Sequence, residues 1–281
     1  MKRIINCLSV LFLFAFTFVY TEKASDIIKE HDNIMIKIKS NKENYYIDKI
    51  DPVIKNDTII PGKNGKSVDV EKSYQKMKLK GVYSDANLVF NEILVTNLID
   101  NCKDKYIING NESKKALSII YEIKDNNNLN KIMKLLDKYE LKITFFIDGV
   151  WLEKNRNKFY EIINANHEVG SVGYNYTYDA SSYVWVDNVI KIATNDDANY
   201  CLKKDDKSLE ICKNRNNYTL SPIVINMNPF ITTKDKLKKG AILYYKDTNI
   251  FVEEFELILK YIRSKKYEIL TIGKLLEEWI C

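Results

Sequence analysis

Carboxylates and aromatic rings are the side chains of this chain that could do chemistry, because histidine is almost absent. The 281 residues include two histidines, His31 and His167. Two imidazoles so far apart in sequence do not form a zinc motif. A Ser/His triad is not supported either, since no Gly-x-Ser-x-Gly elbow occurs. With only 9 glycines, the chain also lacks a P-loop and a Gly-x-Gly-x-x-Gly fingerprint.

Four carboxylates stand near the carboxyl ends of predicted strands, where α/β folds place their sites: Glu122, Asp125, Asp179 and Asp247. Carboxylates alone suit Mg or Ca better than a hydrolytic zinc ion. We interpret each as a solvated loop acid that also caps a helix. Asp125 is expected to begin the helix around Leu129. The helix around Phe255 is expected to begin at Asp247, Thr248 or Asn249.

The elements that position these residues follow from two regions of different character. From Ala116 onward, short apolar strands alternate with amphipathic helices, which predicts a parallel α/β domain over residues 113–281. Residues 25–112 are polar and rich in Asn and Lys, and they predict a small α+β preamble. In the preamble, Ile34, Ile36 and Ile38 alternate with Met35, Lys37 and Lys39 and predict a half-buried strand. Further predictions there are strands at 45–50 and 88–95, a turn at 61–65 and a helix capped by Asp69.

The N-terminus has the pattern of a secretory leader. Lys2 and Arg3 precede a mostly apolar run over residues 4–20, the order of a signal peptide's n-region and h-region. The run would span about 25 Å as a helix, so an uncleaved membrane anchor remains an alternative. Residues 1–24 are therefore interpreted as a leader or anchor. The expected location is extracytoplasmic, either secreted or held to the membrane by residues 4–20 alone.

The amino-acid composition limits the class of protein and its possible partners. The chain is 46% hydrophobic and 29% charged, with a formal charge of +5, which suits one barrel-sized domain with a smaller element. The basic residues form no concentrated stripe, so nucleic-acid binding is not expected. Four cysteines lie outside the leader: Cys102, Cys201, Cys212 and Cys281. Three pairings are open, and so is the alternative of free thiols. The pairing of Cys201 with Cys212 is the first to test.

An ordered set of motifs resembles the polysaccharide deacetylase (NodB-homology) family. Thr144-Phe145-Phe146 with the following Gly149 matches that family's Thr-Phe-Phe strand, and residues 166–170 (Asn-His-Glu-Val-Gly) match a later strand. Residues 237–243, 258–263 and 267–272 resemble the closing strand, helix and strand. The resemblance covers roughly residues 116–281. It implies a deformed (β/α) barrel whose active members remove acetyl groups from N-acetylated sugars with a divalent metal.

The positions at which the family carries its catalytic groups hold other residues here. The resemblance places its Asp-Asp pair on Ile120 and Tyr121, its His-x-x-x-His motif on Val172 and Tyr176, and its late histidine on Lys246. That chemistry requires a carboxylate base and imidazole ligands around a metal-bound water. The family's Arg-Pro-Pro-aromatic loop also has no counterpart, because no proline occurs between Pro61 and Pro222. We therefore predict no catalytic residue, no metal ligand and no cofactor.

Aromatic residues cluster after the second of these motifs: Tyr174, Tyr176, Tyr178, Tyr183 and Trp185. Rings at a barrel mouth would stack on sugars, and the alternative is that they fill the space of the lost metal site. The candidate binding residues are Tyr174, Asn175, Tyr176, Trp185 and Asp247. The sequence thus predicts an inactive deacetylase-like protein of the cell envelope, with a cell-wall glycan as partner or with a structural role. The alternatives are a divergent deacetylase that uses a divalent metal in a rebuilt site, and a module that only binds proteins.

Overall fold

A computed structural model describes residues 26–96, 102–179, 181–277 and 279–280, together with the single residues 17, 21, 23 and 24. The predicted leader, residues 4–20, lies outside this part of the chain apart from Thr17. No helix formed by the described residues is long and apolar enough to cross a membrane. The chain folds into two compact units. One comprises residues up to Lys49 with Asn64–Leu94, and the other Ile50–Lys63 with the chain from Val95 on.

The strands and helices are numbered in chain order. The strands are β1 (Val53–Lys55), β2 (Thr58–Ile60), β3 (Gly62–Lys63), β4 (Gly65–Val68), β5 (Phe90–Ile93), β6 (Tyr106–Ile107), β7 (Ala116–Glu122), β8 (Thr144–Ile147), β9 (Glu168–Ser171), β10 (Tyr200–Leu202), β11 (Tyr218–Leu220), β12 (Ile223–Ile225), β13 (Ile242–Lys246), β14 (Glu268–Leu270) and β15 (Trp279–Ile280). The α-helices are α1 (Asn33–Asn41), α2 (Val70–Lys78), α3 (Asn126–Lys138), α4 (Gly149–Lys154), α5 (Arg156–Asn164), α6 (Ser182–Thr194), α7 (Ser208–Asn214), α8 (Pro229–Lys236), α9 (Asn249–Ser264) and α10 (Ile272–Leu275).

The first unit packs α1 and α2 beside the antiparallel pair β4 and β5. The strand predicted around Ile34 is wrong, because this segment is helix α1. The Asp32 carboxylate accepts a hydrogen bond from the backbone N–H of Ile34 at 2.8 Å and begins the helix. Ile34 and Ile38, one helical turn apart, are buried, whereas Ile36 is 50% exposed. The predicted cap is confirmed at α2, where Asp69 accepts from the Lys72 N–H.

The turn predicted over residues 61–65 is also wrong, since Gly62, Lys63 and Gly65 lie in the two short strands β3 and β4. The strand predicted over residues 45–50 is replaced by a 3₁₀-helix at Lys42–Tyr45, followed by isolated bridges at Ile47 and Ile50. The prediction for residues 88–95 corresponds to the shorter β5. Strands of two or three residues leave little periodic signal in a sequence.

The second unit contains a single large sheet of eleven strands. Ten follow one path in the order β1-β2-β6-β11-β10-β9-β8-β7-β13-β12, and β14 pairs with β7. All neighbours are parallel except β1 and β2. Residues from strands that are not neighbours, such as Ile59 of β2 and Ile120 of β7, pack into one apolar cluster. The sheet therefore curls into a half-barrel, and this confirms the predicted barrel-like α/β fold.

Two apolar layers lie on the two faces of this sheet. The inner cluster fills the concave side and consists of Ile59, Ile107, Ala116, Ile120, Phe146, Val172, Leu202, Leu220, Ile242, Tyr244, Ile272 and Leu275. The outer cluster joins the convex side to the helices, through residues such as Leu129 of α3, Phe159 of α5 and Phe255 of α9. Asp125 caps α3 by accepting from the N–H groups of Asn127 and Asn128, as predicted.

A disulfide joins β10 to α7. The sulfur atoms of Cys201 and Cys212 are 2.22 Å apart, which confirms the pairing chosen from the sequence. Beside it lies the buried carboxylate of Asp187, which accepts from Arg215 Nε at 3.0 Å and from Asn217 Nδ2 at 2.7 Å. The strand that ends at Leu202 is thus held by a covalent bond and by buried polar contacts.

Candidate functional site

A pocket of about 480 Å³ opens at the carboxyl ends of the parallel strands. We call it the mouth pocket, and its lining residues are Glu122, Lys124, Tyr176, Leu202, Lys203, Lys204, Pro222, Val224, Tyr244 and Lys246. Parallel sheets present ligand sites at this edge. Its volume is typical of small-molecule sites, which occupy about 300 to 1,000 Å³.

Strand β7 places a carboxylate in the mouth pocket by simple alternation. Side chains of a strand point to opposite faces in turn, so Ile120 and Glu122 share the concave face and Tyr121 lies on the other. Glu122 follows Ile120 toward the opening, where it is 4% exposed. Tyr121 packs in the outer cluster, with its ring 5.5 Å from that of Phe251. The structure therefore separates Ile120 from Tyr121, and the carboxyl group at the mouth is Glu122, not a solvated loop acid.

Ile120 and Val172 come together in the inner cluster, below the mouth. Both are fully buried, and Phe146 belongs to the same cluster. Gly170 allows this packing, since a Cβ at that position would lie 2.5 Å from the Phe146 ring. The predicted positions 120 and 172 are therefore part of an apolar core.

Tyr176 reaches the mouth pocket because a tight turn holds its backbone. Tyr174 and Thr177 exchange backbone hydrogen bonds across the turn, and Tyr176 has a positive φ of 58°. The Asp148 carboxylate fixes both sides of this region: it caps α4 at the Val150 N–H and accepts from the Tyr176 N–H at 2.7 Å. The Tyr176 ring is 40% exposed, so the turn presents an aromatic surface at the opening.

Lysines surround this ring. Lys204 Nζ donates to the backbone carbonyl of Tyr176 at 2.7 Å and lies 5.0 Å from the ring centroid, and Lys124 Nζ lies 5.5 Å from it. Burial lowers the pKa of the Lys204 ammonium to about 8, and the positive charge of Lys246 acts in the same direction. The carboxylates of Glu122, Asp148 and Asp205 oppose this shift.

Glu122 is the acidic member of the pocket lining. Burial raises the pKa of its carboxyl group above the ordinary value of 4.5, whereas the charges of Lys124, Lys204 and Lys246 counteract the effect. Lys124 Nζ is 3.7 Å from Glu122 Oε1. The protein thus buries a carboxyl group at the opening and places ammonium groups above it.

Asp247 has a structural role beside the mouth. Its carboxylate accepts from the backbone N–H groups of Lys124 at 3.0 Å and Asp125 at 2.7 Å, and from Asn128 Nδ2 at 2.9 Å. These bonds tie the end of β13 to the loop after β7. Thr248, one of the three predicted caps, begins α9. The side chain of Asp247 does not line the mouth pocket.

The other predicted binding residues lie at different places. Tyr174 and Trp185 pack together edge to face at 6.5 Å, and Tyr174 Oη donates to Glu153 at 3.0 Å. Asn175 is exposed in the turn, and Asp179 accepts from Ser182 Oγ at the start of α6. Of the five candidates, Tyr176 is the one that lines the mouth pocket.

Residues 109–207, which include β7, β8, β9 and the turn with Tyr176, match the family model for polysaccharide deacetylase. This part of the chain is therefore similar to a polysaccharide deacetylase, and we call the second unit the deacetylase-like domain. Of the positions that the sequence resemblance assigns to the family's histidines, Val172 lies inside the half-barrel, and Tyr176 and Lys246 lie at its mouth.

Two proteins are similar to this chain in sequence or in fold. Over 118 residues the chain is 31% identical to the uncharacterized protein YlxY of Bacillus subtilis strain 168, which is 42% of this chain and 37% of that protein. The chain therefore spans well under two thirds of this curated relative. A wild-type CE4 family pseudoenzyme from Bacillus anthracis superposes with a TM-score of 0.65 and 23% identity, over 88% of this chain and 96% of the other.

Two further structures share this fold. A mutant of that same pseudoenzyme, described as having restored enzymatic activity, superposes equally well, with 23% identity over 88% of this chain and 99% of the other. The Bacillus subtilis protein PdaA, a family 4 carbohydrate esterase, superposes with a TM-score of 0.53 and 16% identity, over 62% of this chain and 85% of the other. Both similarities show the fold.

The divalent metal that the family implies does not fit the residues of the deacetylase-like domain. Among the described residues, no group of three His, Cys, Asp or Glu side chains is arranged to hold a metal ion. Val172 offers no ligand atom, and the Lys246 ammonium would repel a cation. Glu122 is the carboxylate nearest the opening, and lysines surround it. We therefore derive no catalytic step through a metal.

Several residues of the mouth were not predicted from the sequence: Glu122 in this role, Lys124, Lys203, Lys204, Pro222, Val224 and Tyr244. Two signals could have revealed some of them. Glu122 stands two positions after Ile120, so any strand through both puts them on one face. Lys203 and Lys204 follow β10, whose three residues are too few to be recognised as a strand.

Proposed function

We propose that the deacetylase-like domain binds carbohydrate at the mouth pocket and does not remove acetyl groups. The observation that carries this proposal is the pocket's lining, in which Tyr176 and Lys246 stand at positions that the resemblance assigns to imidazole ligands of a metal. A hydrolytic reaction needs an activated water, and Tyr176 and Lys246 do not activate one. A binding site needs only a shaped cavity and a few polar groups.

The apolar part of the lining suits a sugar ring. The Tyr176 ring is partly exposed, and Val224 on β12 is 47% exposed near Pro222. Such surfaces can pack against the C–H faces of a pyranose, while lysines at the rim donate hydrogen bonds to its hydroxyl groups. This arrangement favours binding by Tyr176 itself over the alternative in which the aromatic cluster only fills space.

We place this binding outside the cytoplasm, at the cell envelope. The leader pattern over residues 4–20 supports export. The Cys201–Cys212 disulfide supports it independently, since disulfides persist mainly in oxidising compartments. A cell-wall glycan is the partner that this location and the family together suggest.

Residual deacetylase activity is the second candidate function. The observation that favours it is Glu122, a buried carboxyl group with a raised pKa at the mouth, which is a property of acid–base catalysts. The pseudoenzyme relative with restored enzymatic activity indicates that such a fold can regain chemistry.

The two functions are separated by binding and acetate release measured on the same purified protein. Neutral N-acetylglucosamine oligosaccharides are titrated by calorimetry, and acetate is assayed with zinc, cobalt or nickel added. We expect measurable binding that Tyr176→Ala weakens about tenfold or more, and no acetate release above a heat-inactivated control. Acetate release that Glu122→Gln abolishes would establish the second candidate. Absence of binding to neutral and charged glycans alike would refute the first.

A further inference from the structure

The mouth pocket is lined by more lysines than carboxylates. Four lysines line it, Lys124, Lys203, Lys204 and Lys246, and Glu122 is the carboxylate among the lining residues. In the part of the chain that the structure describes, Lys124 lies within 4.0 Å of that carboxylate, whereas Lys203, Lys204 and Lys246 lie within this distance of none. Among the described residues, three ammonium groups at this opening therefore have no carboxylate within 4.0 Å.

The contacts that these lysines do make are with neutral groups. Lys204 donates to the Tyr176 carbonyl, and Lys203 Nζ lies 4.2 Å from the centroid of the Tyr106 ring. A carbonyl oxygen or a ring face compensates an ammonium less than a carboxylate or phosphate does. Burial lowers the pKa of the Lys204 ammonium to about 8, an effect that Lys246 reinforces and that Glu122, Asp148 and Asp205 oppose.

Position decides which sign of ligand the pocket favours. Glu122 is 4% exposed, whereas all four lysines are exposed at the rim. A ligand that enters therefore meets the ammonium groups first. Lys246 lies beside Glu122 in the register of β13 and β7, and its positive charge helps to lower the pKa of Lys204. The partly exposed Tyr176 ring stands beside Lys204.

We propose that the mouth pocket selects a glycan that carries an anionic group, a carboxylate or a phosphate ester, and that Lys204 and Lys246 bind this group while Tyr176 packs against the sugar ring. The inference rests on the proposed carbohydrate binding and adds the charge of the ligand. One charge-assisted hydrogen bond strengthens binding by about tenfold or more. Part of the gain is lost at high ionic strength, because salt screens exposed charges.

The experiment uses three oligosaccharides of equal length on the purified full chain. They are a neutral N-acetylglucosamine tetramer, the same tetramer with its primary hydroxymethyl groups oxidised to carboxylates, and the tetramer phosphorylated at those positions. Inorganic phosphate serves as a free anion. Dissociation constants are measured by calorimetry at low salt and at about 0.3 M NaCl. The higher salt concentration screens charges that lie a few ångströms apart.

The variants are Lys204→Met with Lys246→Met, which keep the length of the side chains, and Tyr176→Ala. Lys238→Met, an exposed lysine outside the mouth pocket, is the matched control, and thermal melts verify that every variant is folded. We expect a charged tetramer to bind at least about tenfold tighter than the neutral one. This preference should vanish in the double lysine variant and persist in Lys238→Met. It should shrink at about 0.3 M NaCl, because salt at this concentration screens exposed charges.

Other results would contradict the anionic selection, the carbohydrate binding or both. Equal affinity for neutral and charged tetramers, or a preference that survives in the double lysine variant, refutes the anionic selection but leaves carbohydrate binding. Inorganic phosphate binding as tightly as the phosphorylated tetramer refutes the role of the sugar in the selected ligand. If no tetramer binds, the proposed function fails together with the inference. A preference for only one charged tetramer identifies carboxylate or phosphate as the group selected.

Discussion

The inner cluster and the mouth pocket are adjacent parts of one half-barrel, but they have opposite energetics. Ile120 and Val172 are fully buried among apolar side chains, and burial of such groups stabilises the fold. Two steps nearer the opening, burial raises the pKa of Glu122 and lowers that of Lys204. Both shifts disfavour the charged forms, so these groups destabilise the folded protein when ionised.

The difference separates a part of the half-barrel that stabilises the fold from a part that lowers its stability. Apolar packing alone could have closed the opening, yet charged groups are retained there at a cost in stability. Sites that lower stability are often the sites that carry function. The comparison therefore supports a role for the mouth pocket in binding and a structural role for the inner cluster.

Val172→Asp should have the largest effect, because it places a carboxylate in the inner cluster without a partner. We expect a loss of about 4 kcal/mol or more in the free energy of unfolding, measured by urea denaturation. The matched control is Tyr176→Asp at the mouth, where aspartate tolerates the positive φ and the change should stay within about 1 kcal/mol. Equal losses at the two positions would contradict the contrast between the regions.

Asp247→Ala should have an intermediate effect, since it removes the acceptor for two backbone N–H groups and one side-chain amide. We expect a loss of about 2 kcal/mol in the free energy of unfolding. Asp247→Asn keeps one acceptor oxygen and should lose about half as much. A loss of zero in the alanine variant would show that water replaces these bonds.

Glu122→Gln should increase stability at neutral pH by roughly 1 kcal/mol, because it removes a buried charge. The pKa of Glu122 in the folded protein lies above its ordinary value of 4.5. The protonated carboxyl group therefore contributes fully to the free energy of unfolding below the ordinary value, and this contribution is lost as the pH rises through the folded pKa. Denaturation curves measured from about pH 4 upward should show that the free energy of unfolding falls in the wild type and not in the variant. If the variant were less stable than the wild type at about pH 7, the attraction between Glu122 and the lysines would outweigh the cost of burying its carboxylate.

Lys204→Met should produce the smallest change, a gain of roughly 0.5 kcal/mol at neutral pH, since solvent screens a group at the rim. The folded pKa is about 8 against 10.5 for a free lysine. Wild-type stability should therefore rise as the pH increases from about 8 toward 10.5, and this rise should be weaker in the variant. An unchanged pH profile would place the charge of Lys204 outside the pocket.

The alternation of strand and helix in the second unit was predictable from the sequence. β7 and β8 are short, mostly apolar runs, and α3 and α9 have one apolar face with Asp125 or Thr248 at the start. These signals are local, so no tertiary information is needed to read them. The strand prediction at Ile34 failed because alternation at positions 34, 36 and 38 also allows a helical contact between 34 and 38. The Asp32 cap decided between the two.

The mouth pocket was less predictable, for two physical reasons. All seven residues of β7 are buried, and in a strand covered on both sides composition does not tell which face is concave. The family resemblance grouped Ile120 with Tyr121, and Glu122 was interpreted as a solvated loop acid. In addition, Lys203 and Lys204 follow a strand of three residues whose position depends on long-range pairing with β9 and β11.

The opposite orientation of Tyr121 and Glu122 has a consequence for how this protein can change. A deletion of one residue within β7 would exchange the two, placing a carboxyl group beside Phe145 and Phe251 and a phenol at the opening. Point substitutions, in contrast, alter one face of the strand at a time. The ligand preference of the half-barrel is therefore free to drift by replacement of single residues, while the length of β7 is fixed by the aromatic layer behind it.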